Sequence, residues 1–166
     1  DLKNDGEYSV PRNDIKVNLV GFDPADFGKS FDDLRDVMPE QGYYRWPALF
    51  ENELVFVSED DIWSCPASGG TAIRLTDHDG CCVRPRFSPC GRWMAFSAAQ
   101  EGPMEVYCMA RDGGKAKRLT ALGSACWTVG WTPDGEVIFS SNHGQPFAPW
   151  EELFTVKVTG GLPQRL

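Results

Sequence analysis

The sequence predicts an all-β fold of three four-stranded propeller blades, and three observations carry that prediction. Glycine pairs at Gly69-Gly70, Gly113-Gly114 and Gly160-Gly161 recur about 45 residues apart, a period typical of propeller blades. Arg-Leu pairs follow each of them at Arg74-Leu75, Arg118-Leu119 and Arg165-Leu166. Pairs ending on an aromatic ring, Ile62-Trp63, Val106-Tyr107 and Leu153-Phe154, precede each of them at the same spacing. The blades are expected over residues 46–80, 81–124 and 125–166, behind an N-terminal extension of residues 1–45.

In the first unit a short inner strand runs from about Trp46 to Phe50, and Leu54 to Ser58 returns as an almost wholly apolar run. Such a run suits a sheet covered on both faces by neighbouring blades. Asp60-Asp61 turns the chain into Ile62 to Pro66, and Ser68 to Gly70 turns it again into Ala72 to Leu75. In the second unit Arg84 to Phe87 leads into Ser88-Pro89-Cys90-Gly91, where proline fixes one dihedral and glycine accepts positive φ. The third unit carries the more polar turn Thr132-Pro133-Asp134-Gly135, whose aspartate is placed to accept nearby N–H groups. Trp93, Met94 and Phe96, then Val137, Ile138 and Phe139, continue as second strands whose side chains pack between blades.

The loop between the second and third strands lengthens along the chain, to Asn142 through Trp150 in the third unit. Two readings stand side by side there. Phe147 and Trp150, stiffened by Pro146 and Pro149, present an interaction surface, or they fold back and bury themselves at the edge of their own blade.

In the extension, Ile15 to Val20 alternates apolar and polar residues like a half-buried strand. Ser30 then opens a brief helix, with Asp33 as a weak capping partner and Phe31, Leu34, Val37 and Met38 as its apolar stripe before Pro39 ends it. So short a helix needs a surface to lie on, and Phe31 and Leu34 are the residues expected to find one on the repeats or on another chain.

Sixteen basic against 24 acidic residues give a net charge of −8, which opposes nonspecific capture of nucleic acid. No apolar run is long enough for a membrane-spanning helix; peripheral attachment to a membrane assembly stays open. The chain opens on Asp1 rather than Met, so processing or a missing leading segment is expected. The cysteines Cys65, Cys81, Cys82, Cys90, Cys108 and Cys126 read as separate thiols of a reducing compartment, cytoplasm or organelle interior, with Cys65 and Cys108 in corresponding strand positions.

Little points to catalysis. His78 stands in Asp77-His78-Asp79-Gly80-Cys81-Cys82, which gathers ligand types without the bite of a zinc motif and reads as a solvated turn. His143 lies near Ser140 and Ser141 without the strand-turn-helix elbow of a hydrolase nucleophile. The glycine pairs are hairpin positions, not phosphate loops. No catalytic residue, metal site or cofactor is expected.

The repeats resemble the TolB and tricorn type of propeller blade. Arg84-Pro85-Arg86-Phe87-Ser88-Pro89-Cys90-Gly91 matches the opening of such a blade, and Ala95-Phe96, Val106-Tyr107, Gly113-Gly114 and Arg118-Leu119-Thr120 match the remainder. Cys90 departs from the usual turn aspartate. Glu53 through Ser58 leading to Asp61-Ile62-Trp63, and the close Gly160 through Leu166, are similar to the N-terminal six-bladed propeller of tricorn proteases. That resemblance implies half of a six-bladed ring, and a sieve or passage beside a serine-protease region whose catalytic residues lie outside the matched segment. The expected role is a non-catalytic propeller segment for protein interaction or structure in a larger assembly; the alternatives are the substrate-gating domain of a tricorn-like protease and a peptide- or carbohydrate-binding propeller.

Three blades cannot close such a ring, so the outer faces of the first and last blades, with Leu54 to Val57 and Val137 to Phe139, are expected to lie open. A protein partner or further blades should cover them, in preference to a second copy of the chain.

Overall fold

A computed structural model describes residues 15–17, 43–77, 80–147 and 149–166. The helix expected around Phe31 and Leu34 lies outside the described residues, as do His78 and Asp79 of the candidate turn. The described chain contains strands β1 (Ile15–Val17), β2 (Arg45–Phe50), β3 (Glu53–Ser58), β4 (Asp61–Pro66), β5 (Gly70–Arg74), β6 (Cys82–Phe87), β7 (Trp93–Ala98), β8 (Glu105–Ala110), β9 (Lys117–Arg118), β10 (Cys126–Trp131), β11 (Glu136–Ser141), β12 (Glu152–Lys157) and β13 (Gln164–Arg165). They form three antiparallel sheets, ordered β1-β5-β4-β3-β2, β6-β7-β8-β9 and β10-β11-β12-β13. These are three blades of a propeller. The first differs from expectation in one respect: β1 pairs with the outermost strand, Ile15 opposite Ala72 and Val17 opposite Gly70, and makes that sheet five-stranded.

The repeated residues occupy repeated places. Trp63 pairs with Arg74, Tyr107 with Arg118 and Phe154 with Arg165. The leucine that follows each arginine donates its N–H to the carbonyl of the residue before the ring: Leu75 to Ile62 at 2.8 Å, Leu119 to Val106 at 2.8 Å and Leu166 to Leu153 at 2.9 Å. The Arg-Leu motif therefore marks where the outermost strand docks on the third.

Strand alternation sends successive side chains to opposite faces, so each blade has a leading face toward the preceding unit and a trailing face toward the next. Val55, Val57 and Ile62 on the trailing face of blade one meet Cys82, Met94, Phe96, Ala98, Tyr107 and Met109 of blade two. Ala95, Val106, Cys108 and Leu119 then meet Cys126, Val137, Phe139, Phe154 and Val156 of blade three. Phe96 stacks on Tyr107 and Phe139 on Phe154 within the leading faces, at 6.0 and 5.5 Å between ring centroids. Burying each such side chain contributes about 1.5–3 kcal/mol, which makes the two interblade layers the main source of cohesion.

A polar clip recurs beside these layers. Thr76 donates to Asp61 at 2.7 Å and accepts the Ile62 N–H at 2.9 Å, while Arg74 pairs with the same carboxylate at 3.5 Å. In blade two Thr120 donates to Glu105 and accepts the Val106 N–H at 2.9 Å. The Glu105 carboxylate also accepts from Arg118 at 3.2 Å and from the Gly123 N–H at 3.1 Å. In blade three Glu152 meets Arg165. The Arg-Leu-Thr signature is thus a device for satisfying the start of the third strand and holding the arginine that crosses it.

The tight turns are also explained by their side chains. Ser88 accepts the Trp93 N–H at 3.0 Å, and Thr132 accepts the Glu136 N–H at 3.0 Å. The first hydroxyl performs the task expected of Asp134, so Cys90 can stand in the aspartate position without leaving that N–H unpaired. Gly91 has φ of 66°, and a Cβ there would come within 2.3 Å of the Phe50 ring.

Two expectations are corrected. Of Leu54 to Val57 and Val137 to Phe139, only Leu54 and Ile138 stay half-buried on the outer faces: Val55, Val57, Val137 and Phe139 are sealed between blades, and Phe56 joins Trp63, Cys65 and Ala72 in a third buried cluster on the leading face of blade one. On that face Tyr44 stands edge-on to Phe56 at 4.9 Å, while Leu49, opposite Leu54, stays 63% exposed. Cys65 and Cys108, moreover, do not correspond. Cys108 follows its aromatic ring directly and Cys65 comes one residue later, so they face opposite sides of their blades.

Removing the buried carboxylate of the second clip should expose its cost. Glu105→Ala strips Arg118 of its buried partner and strands Thr120 and the Gly123 N–H, and should destabilise the chain by about 3 kcal/mol in thermal or urea unfolding. Glu101→Ala, which removes the exposed partner of the same arginine, should cost less than about 1 kcal/mol.

Candidate interaction surface

Among the described residues no sheet packs on the trailing face of blade three. The residues that carry interblade packing on blade two, Val106 and Leu119, are 0% and 6% exposed, whereas their counterparts Leu153 and Leu166 are 46% and 69% exposed. Ile138, opposite Thr155 as Ala95 is opposite Cys108, is half-buried. The same register that seals one blade therefore leaves an apolar strip on the next.

Phe147 and Trp150 lie in the loop that leads into this blade's third strand. Both are exposed, with ring centroids 5.6 Å apart and the Trp150 N–H donated to the Phe147 carbonyl at 3.1 Å. Of the two readings of this loop, the chain displays the aromatic pair. Glu151, immediately after it, accepts from Ser140 at 2.7 Å and ties the loop to the sheet.

The serine and histidine residues do not form a nucleophile and base. Ser140 is engaged with Glu151, and His143 meets Ser141 through its main-chain N–H at 3.2 Å rather than through its imidazole. Among the described residues, no group of three or more His, Cys, Asp or Glu could hold a metal ion, and no helix is long and apolar enough to cross a membrane.

All six cysteines are free. Burial pushes the Cys82 thiol up to about 12 and those of Cys108 and Cys126 up to about 11. Cys90 goes the other way: on an exposed turn, a hydrogen bond from Ser88, 3.4 Å away, and contacts from Arg92 lower its thiol to about 7.

Repeated antiparallel sheets and the interblade aromatic layers define a partial propeller of the tricorn and TolB class. The profile of the tricorn protease N-terminal β-propeller domain matches residues 41–166, and the chain belongs to that family. It is 39% identical over 104 residues to tricorn protease homolog 1 of Streptomyces coelicolor, a match covering 62% of this chain and 10% of that one. It is 29% identical over 129 residues to a Sulfurisphaera tokodaii protein named as a tricorn-like protease N-terminal subunit, covering 76% of this chain and 66% of that one. Among solved structures, the tricorn protease superposes with a TM-score of 0.68 at 24% identity over 75% of this chain and 13% of that chain, a likeness of fold. TolB from Acinetobacter baumannii superposes with a TM-score of 0.63 at 26% identity, over 78% of this chain and 33% of that chain. The chain thus spans about a tenth of the first relative and less than two thirds of the second.

The thiols give a direct check on this surface chemistry. Alkylation of the native protein by iodoacetamide should show a fast phase at Cys90 whose rate is half-maximal near pH 7, because the thiolate is the reacting form and forms above the lowered value. Cys82, Cys108 and Cys126 should label only after denaturation, and Cys90→Ser should abolish the fast phase.

Proposed function

We propose that this chain is a non-catalytic propeller segment that serves protein interaction and assembly within a larger tricorn-like protein or complex. The observation that carries this reading is the trailing face of blade three. Its Leu153 and Leu166 repeat the positions that blade two buries, yet they stand exposed. A sheet face with this spacing accepts another sheet of the same kind, and burying those two leucines would contribute about 1.5–3 kcal/mol each. The exposed Phe147–Trp150 pair widens the surface with the ring types that dominate protein contacts. Phe31 and Leu34 are proposed as a second contact, from the N-terminal extension.

The match to the N-terminal propeller of proteases favours one further reading, in which the assembled ring gates substrate access to a catalytic region carried elsewhere. Both readings assign this chain no part in bond cleavage. The engagement of Ser140 by Glu151 and the backbone contact of His143 support that assignment.

The test combines assembly and turnover. Leu153→Glu with Leu166→Glu should reduce association and hydrophobic-dye binding at least about threefold, as measured by native mass spectrometry and fluorescence, while leaving the unfolding temperature within a few degrees because both leucines are already solvated. Unchanged association in the double variant would remove the trailing face from the interaction. Peptide and acyl-ester turnover that disappears in Ser140→Ala, Ser141→Ala or His143→Ala would overturn the non-catalytic assignment.

A further inference from the structure

Apart from the blade-joining face, one pair of half-buried arginines meets no carboxylate among the described residues. The arginines Arg45, Arg74, Arg111, Arg118 and Arg165 each meet a carboxylate. Arg84 and Arg86, two residues apart on β6 and both half-buried, meet none among the described residues, in a chain whose net charge is −8. Strand β6 is the inner strand of the middle blade and lies against both β2 and β10, the inner strands of its neighbours. Burial and the adjacent Arg84 charge push the Arg86 guanidinium below its ordinary value. Two unneutralised cations held together cost free energy that a carboxylate partner would have relieved.

Their placement is held by several contacts. Arg86 donates through Nε to the Val129 carbonyl at 3.2 Å and through Nη1 to the Pro85 carbonyl at 2.8 Å, which leaves Nη2 unspent. Trp131 Nε1 donates to the Arg86 carbonyl at 2.9 Å and locks β6 to β10. Arg84 stands at φ of 54° directly before Pro85, a conformation unfavourable for a long side chain. It occupies a bulge, where the register with β7 shifts between Val83 and Arg86. Its guanidinium lies over the Trp127 ring, 5.0 Å from the centroid, so its N–H edge remains free to donate in its own plane. Stacking and backbone clamps thus hold two guanidinium groups that meet no acid among the described residues.

We propose that Arg84 and Arg86 form an oxyanion-binding site on the inner strand of the middle blade, taking a carboxylate or phosphate group. Such a ligand offers two or more acceptor oxygens to donors from both side chains, a geometry for which arginine is better suited than lysine. The group arrives either on a polypeptide, as acidic side chains, or as a free anion, and the two sources separate in the experiment.

Calorimetric titration of the intact chain at low ionic strength, with inorganic phosphate in one arm and a hexaglutamate peptide in the other, should give saturable binding that weakens as salt is added. Saturation by the peptide alone identifies polypeptide carboxylates as the ligand; saturation by phosphate alone identifies a free anion. Arg84→Gln should weaken binding at least about tenfold while unfolding at nearly the native temperature, since among the described residues the Arg84 side chain meets the Trp127 ring and no hydrogen-bond partner. Arg84→Lys should bind less tightly than the native chain because the planar fork is lost, and Arg92→Gln should bind as the native chain does. Absence of saturable binding in both arms up to about 10 mM ligand overturns the proposal. So does unaltered affinity in Arg84→Gln, or an equal loss in Arg92→Gln.

Discussion

Face-to-face stacking of sheets that are apolar on both sides governs this molecule. A blade of four short strands cannot bury both faces by itself, so its stability is borrowed from the blades on either side. Phe96 and Tyr107 illustrate the dependence: they stack within one sheet, yet their exclusion from water requires Val55, Val57 and Ile62 of the blade before. The same requirement fixes register. A slip of one residue would turn Phe139 and Phe154 out of the second interblade layer and present Ile138 and Thr155 in their place. The aromatic-ended pairs recur because a large ring at this position fills the space between sheets, and the Arg-Leu-Thr ending recurs because the clip satisfies the polar groups beside it.

Electrostatics follow the same arrangement. The carboxylates of Asp61 and Glu105 begin the third strands, and each holds the arginine and threonine that end the repeat. Between blades one and two, Arg111 reaches from the far end of β8 to Glu53 and lies over the Phe50 and Phe87 rings at 5.0 and 5.9 Å. Between blades two and three, Lys117 donates to the Thr159 carbonyl at 2.6 Å. Cations therefore rivet neighbouring blades at their edges, where aliphatic packing gives out. Among the half-buried arginines of the described residues, the acid-free pair on β6 stands apart.

Most of the fold was legible because its signals repeat. The glycine pairs, the aromatic-ended pairs and the arginine-leucine pairs each located the same turn or strand three times, and observed strands such as Trp93–Ala98 fall where the alternation put them. What could not be read depends on neighbours that a linear pattern does not display. Cys65 and Cys108 looked equivalent because both follow an aromatic ring closely, but strand parity separates faces on a difference of one residue. The bulges at Trp46 and Arg84 were hidden because Trp-Pro and Arg-Pro read as ordinary extended dipeptides, although both residues have positive φ. Phe147 and Trp150 were singled out by their composition. Leu153 and Leu166 were not, because nothing in an apolar strand residue tells whether the next sheet is present.

The two ends of the stack differ in a way that bears on how such a chain is made. On the leading face of blade one Phe56, Trp63, Cys65 and Ala72 are buried, while on the trailing face of blade three Leu153 and Leu166 are exposed. A ribosome delivers the N-terminal end first, at about 5–20 residues per second, so a new blade emerges every few seconds. Of the three, blade one carries its own buried cluster on the leading side and offers a template on the other. Each later blade meets a prepared surface as it appears and becomes the template in turn. Synthesis and packing among these three blades then run in the same direction, each trailing face waiting for the sheet that follows it.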